Sequence, residues 1–205
     1  MKFISLSILF MYSTLCYCQY DLSTLSEDDY RKLNNTRKLL NGSTPLFLVE
    51  AVNGVIKGNS HICWSSAKAS NIQPGFHHNI TYYTVDKKNS PSRPKLESRS
   101  AIWYVGTVKL VPMVLLSVYD RKTSSFNITG DYLLLEAQET CLVIGIFTTN
   151  NYSSTCLHWV AQNGFSANRT LCKDVFYKNC TNLWGDWYFW REKCTPDNKP
   201  KPAHQ

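Results

Sequence analysis

Cysteine is the residue type in this sequence with the most obvious chemistry. Eight cysteines occur in 205 residues, and two of them, Cys16 and Cys18, end an apolar N-terminal stretch. The other six lie downstream: Cys63, Cys141, Cys156, Cys172, Cys180 and Cys194. An even number of cysteines predicts three disulfides in an oxidising compartment, although the count leaves many pairings open.

Metal binding and catalysis are the alternative uses of reactive side chains. The sequence has no Cys-x-x-Cys pair, and among its histidines only His77 and His78 are adjacent, so no spacing indicates a zinc site. It also lacks a nucleophile elbow, a metalloprotease helix motif, a glycine-rich phosphate loop and a paired-carboxylate spacing. We therefore expect no bound metal, no cofactor, no catalytic residue and no enzymatic activity.

The N-terminus resembles a secretory signal. Lys2 precedes an apolar stretch that ends at Leu15 and is too short to span a bilayer, and Cys16 and Cys18 fit the positions three and one before a cleavage site. We expect a secreted, extracellular monomer. The predicted organisation is a signal peptide at 1–18, one barrel domain at 19–194 and a disordered tail at 195–205.

Glycosylation signals support secretion independently. Seven Asn-x-Ser/Thr triplets without a central proline begin at Asn34, Asn41, Asn79, Asn127, Asn151, Asn168 and Asn179. We predict these asparagines as glycan acceptors. An attached glycan requires its asparagine to face water.

The charge pattern argues against nucleic acid and membranes as partners. The sequence has 22 Lys and Arg against 15 Asp and Glu, a formal net charge of +7, and the basic residues are scattered. Nucleic-acid binding requires a basic stripe interleaved with stacking aromatic residues. No segment after the signal has enough consecutive apolar residues to cross a bilayer.

Hydrophobic periodicity predicts two helices around a series of short strands. A serine cap and acidic residues predict a helix from Ser26 to about Leu40, and apolar residues spaced by helical turns predict another from Ser166 to Cys180. The predicted strands are Pro45 to Val52, Ser60 to Ala67, His77 to Asp86, Ala101 to Leu110, Met113 to Asp120, Asp131 to Gln138, Thr140 to Thr149 and Ser153 to Gln162. A final short strand is expected between Asp186 and Arg191.

Short connections favour sequential antiparallel pairing of these strands. Asn53-Gly54 is a strong hairpin signal, and the longest connection, Lys87 to Arg99, contains two prolines and is expected to be a flexible flap. Eight strands in series are best protected at their edges by closure into an up-and-down barrel, whose interior can hold one small ligand. A two-sheet sandwich is the competing architecture.

The C-terminal half has a specific arrangement of cysteines and aromatic residues. The pattern consists of Tyr132 with three leucines, Cys141-Leu142-Val143, Cys156-Leu157-His158-Trp159, helical Cys172, Phe176 and Cys180, and finally Cys194, with Cys63 upstream. This pattern resembles the tick salivary lipocalins, the family that includes histamine-binding proteins. The resemblance implies an all-β, eight-stranded antiparallel lipocalin barrel, with a short N-terminal helix and a C-terminal helix packed on the outside.

This resemblance gives the cysteines an expected pairing. If Cys141 and Cys156 point outward from adjacent strands, they face the helix that carries Cys172 and Cys180. The family uses similar bridges. The expected disulfides are Cys141–Cys172, Cys156–Cys180 and, by remainder, Cys63–Cys194. The same orientation turns the neighbouring apolar residues toward the barrel interior.

The resemblance also bears on the ligand. Family members that bind histamine or serotonin carry an acidic residue directly after the strand cysteine and a Glu-Leu-Trp or Glu-Leu-Tyr triplet on the next strand. Here Leu142 and Leu157 occupy the two acidic positions, and of the triplet only Trp159 persists. Because a buried ammonium without a charge partner costs several kcal/mol, we favour an apolar or amphipathic ligand such as a fatty acid, eicosanoid or sterol.

Two alternatives stay open at this stage. A biogenic amine could still bind if Glu50, in the apolar run of the first strand, faces the interior, although an outward or rim carboxylate is the more ordinary arrangement. A loop surface could instead bind host proteins of complement, coagulation or immune cells, as in several relatives. The candidate ligand-binding residues are Glu50, Trp103, Tyr132, Leu142, Ile144, Leu157 and Trp159.

Overall fold

A computed structural model describes most of the predicted domain. The described residues are 24–53, 61–70, 75–84, 94–119, 128–149, 154–166, 170–189 and 194. The predicted signal peptide and C-terminal tail lie outside these residues, so both stay predictions.

The N-terminal helix, α1, spans Glu27–Asn41. Its start is fixed by Ser26, whose hydroxyl accepts a hydrogen bond from the Asp29 backbone N–H at 3.1 Å and thereby satisfies an otherwise unpaired donor. Leu33 and Leu40 are buried on one face and join the main hydrophobic cluster. The predicted N-terminal helix is therefore present, and it packs against the barrel through this face.

Within the described residues, nine strands follow α1 and form one antiparallel sheet. They are β1 (Leu46–Val52), β2 (His61–Ser70), β3 (Phe76–Thr84), β4 (Lys95–Val108), β5 (Val111–Tyr119), β6 (Gly130–Ala137), β7 (Cys141–Ile146), β8 (Thr155–Ala161) and β9 (Trp187–Phe189). Strands β2 to β8 pair in sequence order, and β1 pairs with both β8 and β2. This closure confirms the predicted eight-stranded up-and-down barrel and excludes the sandwich.

Strand β4 begins earlier than the sequence predicts. The segment from Lys95 to Ser100, assigned to a flexible flap and the residue after it, pairs in regular register with β3, from Lys95 opposite Thr84 to Ser100 opposite Asn79. Its residues are mostly polar, so they lack the apolar alternation that marks a strand in sequence. The flap prediction is therefore wrong for residues 95–99, and residues 85–93 lie outside the described part.

The second helix, α2, spans Thr170–Cys180 and packs on the outer face of β6, β7 and β8. Phe176 is fully buried there, in a cluster separate from the barrel interior. Disulfides Cys141–Cys172 and Cys156–Cys180 attach the helix to β7 and β8, with Cα–Cα distances of 6.5 and 6.1 Å. These are the pairings that the resemblance implies. Neither described helix combines the length and apolar character needed to cross a membrane.

The last strand, β9, completes the barrel wall where β1 and β2 diverge. Strand β1 pairs with β2 only at Leu46 and Phe47, and its other end, from Glu50 to Val52, pairs with β9. Disulfide Cys63–Cys194 links β2 to the segment after β9, across a sequence separation of 131 residues. The C-terminal segment therefore fills a gap between two neighbouring strands.

Candidate functional site

The interior face of the barrel is built by strand alternation on β7 and β8. Leu142 and Ile144 on β7 pair with Trp159 and Leu157 on β8, and all four are fully buried in the interior cluster. The alternate residues, including Cys141, belong to the outer cluster under α2. Because cross-strand partners share one face of a sheet, the outward cysteines and inward leucines are two consequences of one register.

Aromatic side chains form much of the interior. Trp103 and Trp159 meet edge to face, with ring centroids 5.8 Å apart, and both are fully buried. Tyr132 is also fully buried, and its hydroxyl donates to the Ile128 carbonyl at 2.7 Å. Burial raises the pKa of Tyr132, so its hydroxyl stays protonated. Six of the seven candidate ligand-binding residues thus lie together in this interior cluster.

Trp159 carries a buried donor with no hydrogen-bond partner in the described structure. Its indole Nε1–H lies on the interior side of β8, whereas the corresponding group of Trp103 donates to the Ser66 hydroxyl at 3.2 Å. A buried polar group without a partner costs on the order of 1–3 kcal/mol. A bound molecule with an acceptor atom can recover this loss.

Glu50, the seventh candidate, lies on the outer face. The β1–β8 register shifts between Leu48 and Glu50, so that Leu48 is opposite Trp159 while Glu50 is opposite His158. Simple alternation from Leu48 would point Glu50 inward, but the bulge places it outside with His158. Glu50 therefore has the outward arrangement that is the more ordinary one for such a carboxylate, and not the interior one that an amine site would require.

On the outer face Glu50 joins β1 and β8 to α2. Its carboxylate accepts hydrogen bonds from His158 Nδ1 at 2.8 Å and from the Tyr177 hydroxyl at 2.9 Å. Burial alone raises the pKa of Glu50, but these two bonds outweigh it and leave the pKa below its ordinary value. These contacts connect Glu50 to α2 on the outer face of the barrel.

Glu136 is displaced from the interior in the same way. The β6–β7 register shifts between Leu134 and Glu136, so that Glu136 is opposite the outward Val143. Its carboxylate is bound by the Arg31 guanidinium of α1 at 3.0 Å. Two bulges thus move two strand-borne acids to the outside.

A series of buried hydrogen bonds lies where α1 meets the barrel. His78 Nε2 donates to the Leu40 carbonyl at 2.8 Å, which leaves Nδ1 to accept from the Ser66 hydroxyl at 2.9 Å. Burial is the main cause that lowers the pKa of His78. Sequence reasoning did not find this cluster, because nothing in the sequence shows that these residues meet. Ser66 and His78 are buried and fully bonded, so this pair ties the helix to the sheet and offers no exposed nucleophile.

A charged and aromatic group, which we call the mouth cluster, lies at the end of the barrel away from this contact. It consists of His61, Trp64, Tyr82, Glu97 and Arg99. Trp64 and Tyr82 stack with centroids 4.3 Å apart, and the Arg99 guanidinium carbon lies 5.9 Å from the Tyr82 centroid. Sequence reasoning missed Glu97 and Arg99 because it placed them in a flap. Their alternation with Ala101 and Trp103 was the signal that could have found them.

Structural comparison places this architecture among solved folds. Japanin from Rhipicephalus appendiculatus, solved bound to cholesterol, is similar with a TM-score of 0.56 and 14% sequence identity, covering 76% of this chain and 98% of Japanin. This chain has the lipocalin fold. Lobster apocrustacyanin A1 is a weaker match, with a TM-score of 0.47, 13% identity, and coverage of 81% and 86%. No protein-family model and no curated protein matches the sequence.

One group in this lipocalin fold has the spacing of metal ligands. Cys141, Cys172 and His158 bring ligand atoms within 4.8 Å of one another, which makes them the one such group in the described residues. The two sulfurs are joined in a disulfide, so they are not available as thiolates. Only His158 Nε2 remains as a ligand atom, which does not fit a metal site.

Four of the predicted glycan acceptors lie in the described part of the lipocalin barrel and its helices. Asn41, Asn79 and Asn179 are exposed, and Asn34 is half-buried on α1. Their glycosylation stays a prediction. Asn127, Asn151 and Asn168 lie outside the described residues.

Proposed function

We propose that this chain is a secreted lipocalin that sequesters a small amphipathic lipid, such as a fatty acid, eicosanoid or sterol. The supporting observation is the interior wall, where Leu142 and Leu157 stand beside Trp103 and Trp159 while Glu50 and Glu136 are turned outward. Burying a lipid against such a wall contributes roughly 25 cal/mol per Å² of apolar surface. The cholesterol bound to Japanin is a ligand of this class.

The interior favours an amphipathic ligand over a hydrocarbon. Trp159 Nε1–H needs an acceptor, which a hydroxyl or carbonyl oxygen on the ligand supplies. An amine ligand gains little here, because a desolvated ammonium needs a carboxylate. The two bulges turn Glu50 and Glu136 outward, and Glu97 is already paired with Lys95 and Arg99. We infer from this lipid binding that the chain is a carrier and not an enzyme. By resemblance to the tick salivary lipocalins, the sequestered lipid is a host mediator of inflammation, immunity or haemostasis.

Ligand capture tests this proposal directly. We expect native mass spectrometry of the purified chain to show one bound molecule of cholesterol or oleic acid and none of histamine. Trp159→Phe keeps an aromatic ring but removes the donor, so we expect roughly tenfold weaker cholesterol binding. Trp184→Phe, at a residue that is 61% exposed, is the matched control and should change nothing. Histamine binding without lipid binding would overturn the proposal.

A second candidate is an interaction with a host protein through the β4–β5 hairpin. Val108 and Val111 at its tip are 58% and 45% exposed, and Lys109 and Leu110 between them both have positive φ. Exposed apolar residues in a strained turn are typical of a contact surface. Leu110→Gly removes the side chain and suits this φ. We expect it to weaken binding to purified complement or coagulation proteins if the hairpin is the interface.

A further inference from the structure

We propose that Cys141, Cys172 and His158 bind a zinc ion while the two cysteines are still thiols, before their disulfide closes. The closed disulfide does not fit a metal, because its sulfurs are not thiolates. The dithiol state that precedes it offers two thiolates and an imidazole, which are ligands that zinc prefers. The zinc-bound dithiol and the disulfide are then two alternative states of the same residues. Both cysteines lie in the outer cluster, so the site is independent of any ligand in the barrel interior.

Three elements of the fold bring the ligand atoms together. Cys141 lies on β7, His158 on β8 and Cys172 on α2. The two sulfurs and a ring nitrogen of His158 lie within 4.8 Å of one another. The ligand atoms of a tetrahedral zinc ion, bound at about 2.0–2.3 Å, lie roughly 3.5 Å apart. No spacing in the sequence indicates this site, because its ligands come from separate elements.

His158 is held in the tautomer that a metal requires. Its Nδ1 donates to the Glu50 carboxylate at 2.8 Å, which leaves the lone pair on Nε2. The Tyr177 hydroxyl donates to the same carboxylate at 2.9 Å and helps to fix its position. A carboxylate behind a histidine ligand is the arrangement that orients the imidazole at many zinc sites. Glu50 is therefore a positioning residue for this site.

The unpaired nitrogen of His158 is the observation that points to a ligand. His158 is 2% exposed, and its Nε2 has no hydrogen-bond partner in the described part of the chain. A buried polar atom without a partner is destabilising, and native structures seldom keep one without a reason. A zinc ion on Nε2 supplies that partner in the dithiol state.

The charge of the ligand set suits a buried site. Two thiolates and a neutral imidazole carry two negative charges, which a divalent zinc ion cancels. Cys141 and Cys172 are fully buried, so a charge that is not cancelled would be costly there. The other disulfide of α2, Cys156–Cys180, belongs to no such group of ligands among the residues that the structure describes. It is therefore a matched control on the same helix.

The two states interconvert with a balanced exchange of protons and electrons. Zinc binding displaces the two thiol protons, and water completes the fourth position of a site with three protein ligands. Closure of the disulfide requires an oxidant, which is the disulfide of a thiol oxidoreductase or of glutathione. The oxidant takes two electrons from the thiolates and two protons from solvent, the bond between the two sulfurs forms, and the zinc ion leaves.

Oxidative refolding tests the proposal with zinc chloride as the probe. The reduced, unfolded chain is refolded in oxidised glutathione with and without zinc, and alkylation of free cysteines followed by peptide mapping gives the closure rate of each disulfide. We expect zinc to slow closure of Cys141–Cys172 roughly tenfold more than closure of Cys156–Cys180. In His158→Gln this difference should disappear. His77→Gln keeps all three ligands and should behave as the wild-type chain does.

A direct measurement on the folded chain does not depend on refolding. A phosphine opens the disulfides, and cobalt(II) is added as a spectroscopic substitute for zinc. We expect one metal ion per chain by native mass spectrometry and a charge-transfer absorption from thiolate to cobalt. The variant Cys156→Ser/Cys180→Ser should keep both signals, and Cys141→Ser/Cys172→Ser should lose them. For His158→Gln we expect zinc affinity to fall roughly 100-fold.

Either experiment can overturn the proposal. It is wrong if the phosphine-treated chain has Cys141 and Cys172 as free thiols and binds no metal, or if zinc delays both helix disulfides equally. A selective delay that persists in His158→Gln would also contradict it, because the histidine would then not be a ligand. If the disulfides resist the phosphine, the refolding rates decide. Cholesterol binding by the oxidised chain should be the same in His158→Gln, so failure of the lipid proposal would not affect this one.

Discussion

At the scale of single residues, Glu50 illustrates how a bulge can change the role of a side chain. Glu50 lies in an apolar run of β1, which suggests by sequence that its side chain faces the interior. The structure places its carboxylate with His158 and Tyr177 on the outer face. The side chain is only 14% exposed, so its hydrogen bonds are formed largely out of water. Its contribution is therefore to stability.

We expect Glu50→Ala to lower the free energy of unfolding by roughly 2 kcal/mol, because it removes two hydrogen bonds to a charged group. Denaturant unfolding measures this change, and oleate or cholesterol affinity should stay at the wild-type level. Glu139→Ala, at an exposed acid, is the control and should alter stability by less than about 0.5 kcal/mol. Lost ligand binding with unchanged stability would show that Glu50 faces the interior after all.

His78 is one residue that makes stability depend on pH near neutrality. Its pKa in the folded protein lies below the ordinary value of 6.5, because burial disfavours the charged ring. As the pH falls below 6.5, the unfolded chain gains a proton before the folded chain does. Stability is therefore fully present above this pH and decreases toward the lowered folded pKa, by at most about 1.4 kcal/mol per pH unit.

His78→Gln should flatten this part of the stability profile, measured as denaturation midpoints between pH 7.5 and 5. His61, whose pKa is also lowered, contributes in the same direction, so some dependence should remain. The control is His77→Gln, which alters the adjacent residue on the opposite face of β3. A profile that keeps its full slope in His78→Gln would exclude His78 as the source.

At the scale of elements, α2 depends on covalent attachment. The helix has 11 residues, and isolated helices of that length are marginal in water. Its buried face is narrow, consisting mainly of Cys172, Phe176 and Cys180. The bridges to β7 and β8 therefore supply a large share of what holds it on the barrel.

We expect the loss of unfolding free energy on removing one disulfide at a time to increase with the length of chain that the disulfide closes. The bridges Cys141–Cys172 and Cys156–Cys180 span 31 and 24 residues, and the chain-entropy estimate gives about 3.5 kcal/mol for each. Cys63–Cys194 spans 131 residues and is expected to contribute about 5 kcal/mol. Guanidinium unfolding of the three double serine variants measures the order. The expected order is contradicted if removing Cys63–Cys194 lowers the free energy of unfolding by less than removing either helix disulfide.

At the scale of the whole molecule, closure of the barrel depends on its C-terminus. Strand β9 supplies the hydrogen-bond partner for Glu50 to Val52, and its Tyr188 side chain enters the interior cluster. The Tyr188 hydroxyl also accepts from the Cys63 backbone N–H at 3.1 Å. Without this segment, half of β1 would have an open edge beside β2.

A chain truncated after Gly185 should therefore self-associate, because an unpaired strand edge templates pairing with another chain. We expect light scattering to show oligomers, and hydrogen exchange to increase at residues 50–52. A chain that ends after Cys194 should remain monomeric and protected. The Cys63→Ser/Cys194→Ser variant separates the covalent link from the strand itself. A monomeric truncated chain with protected β1 amides would show that β9 is dispensable.

The sequence by itself determined the order of elements and, on β7 and β8, which residues share a face. Several signals are local, so they can be recognised without a structure: helix capping at Ser26, the hairpin residues and the period-two apolar patterns. The alternation around Cys141 and Cys156 likewise separated two faces, and the resemblance indicated which of them turns toward the interior. These features depend only on residues that are close in sequence.

Only the tertiary structure decided which charged residues reach the interior. Register shifts after Leu48 and Leu134 depend on partner strands, so the sequence could not show that Glu50 and Glu136 turn outward. Arg99 lies in a polar stretch that becomes a strand because β3 offers backbone partners to it. The position of a charge in a barrel is set by pairing across strands, and that pairing is a non-local property.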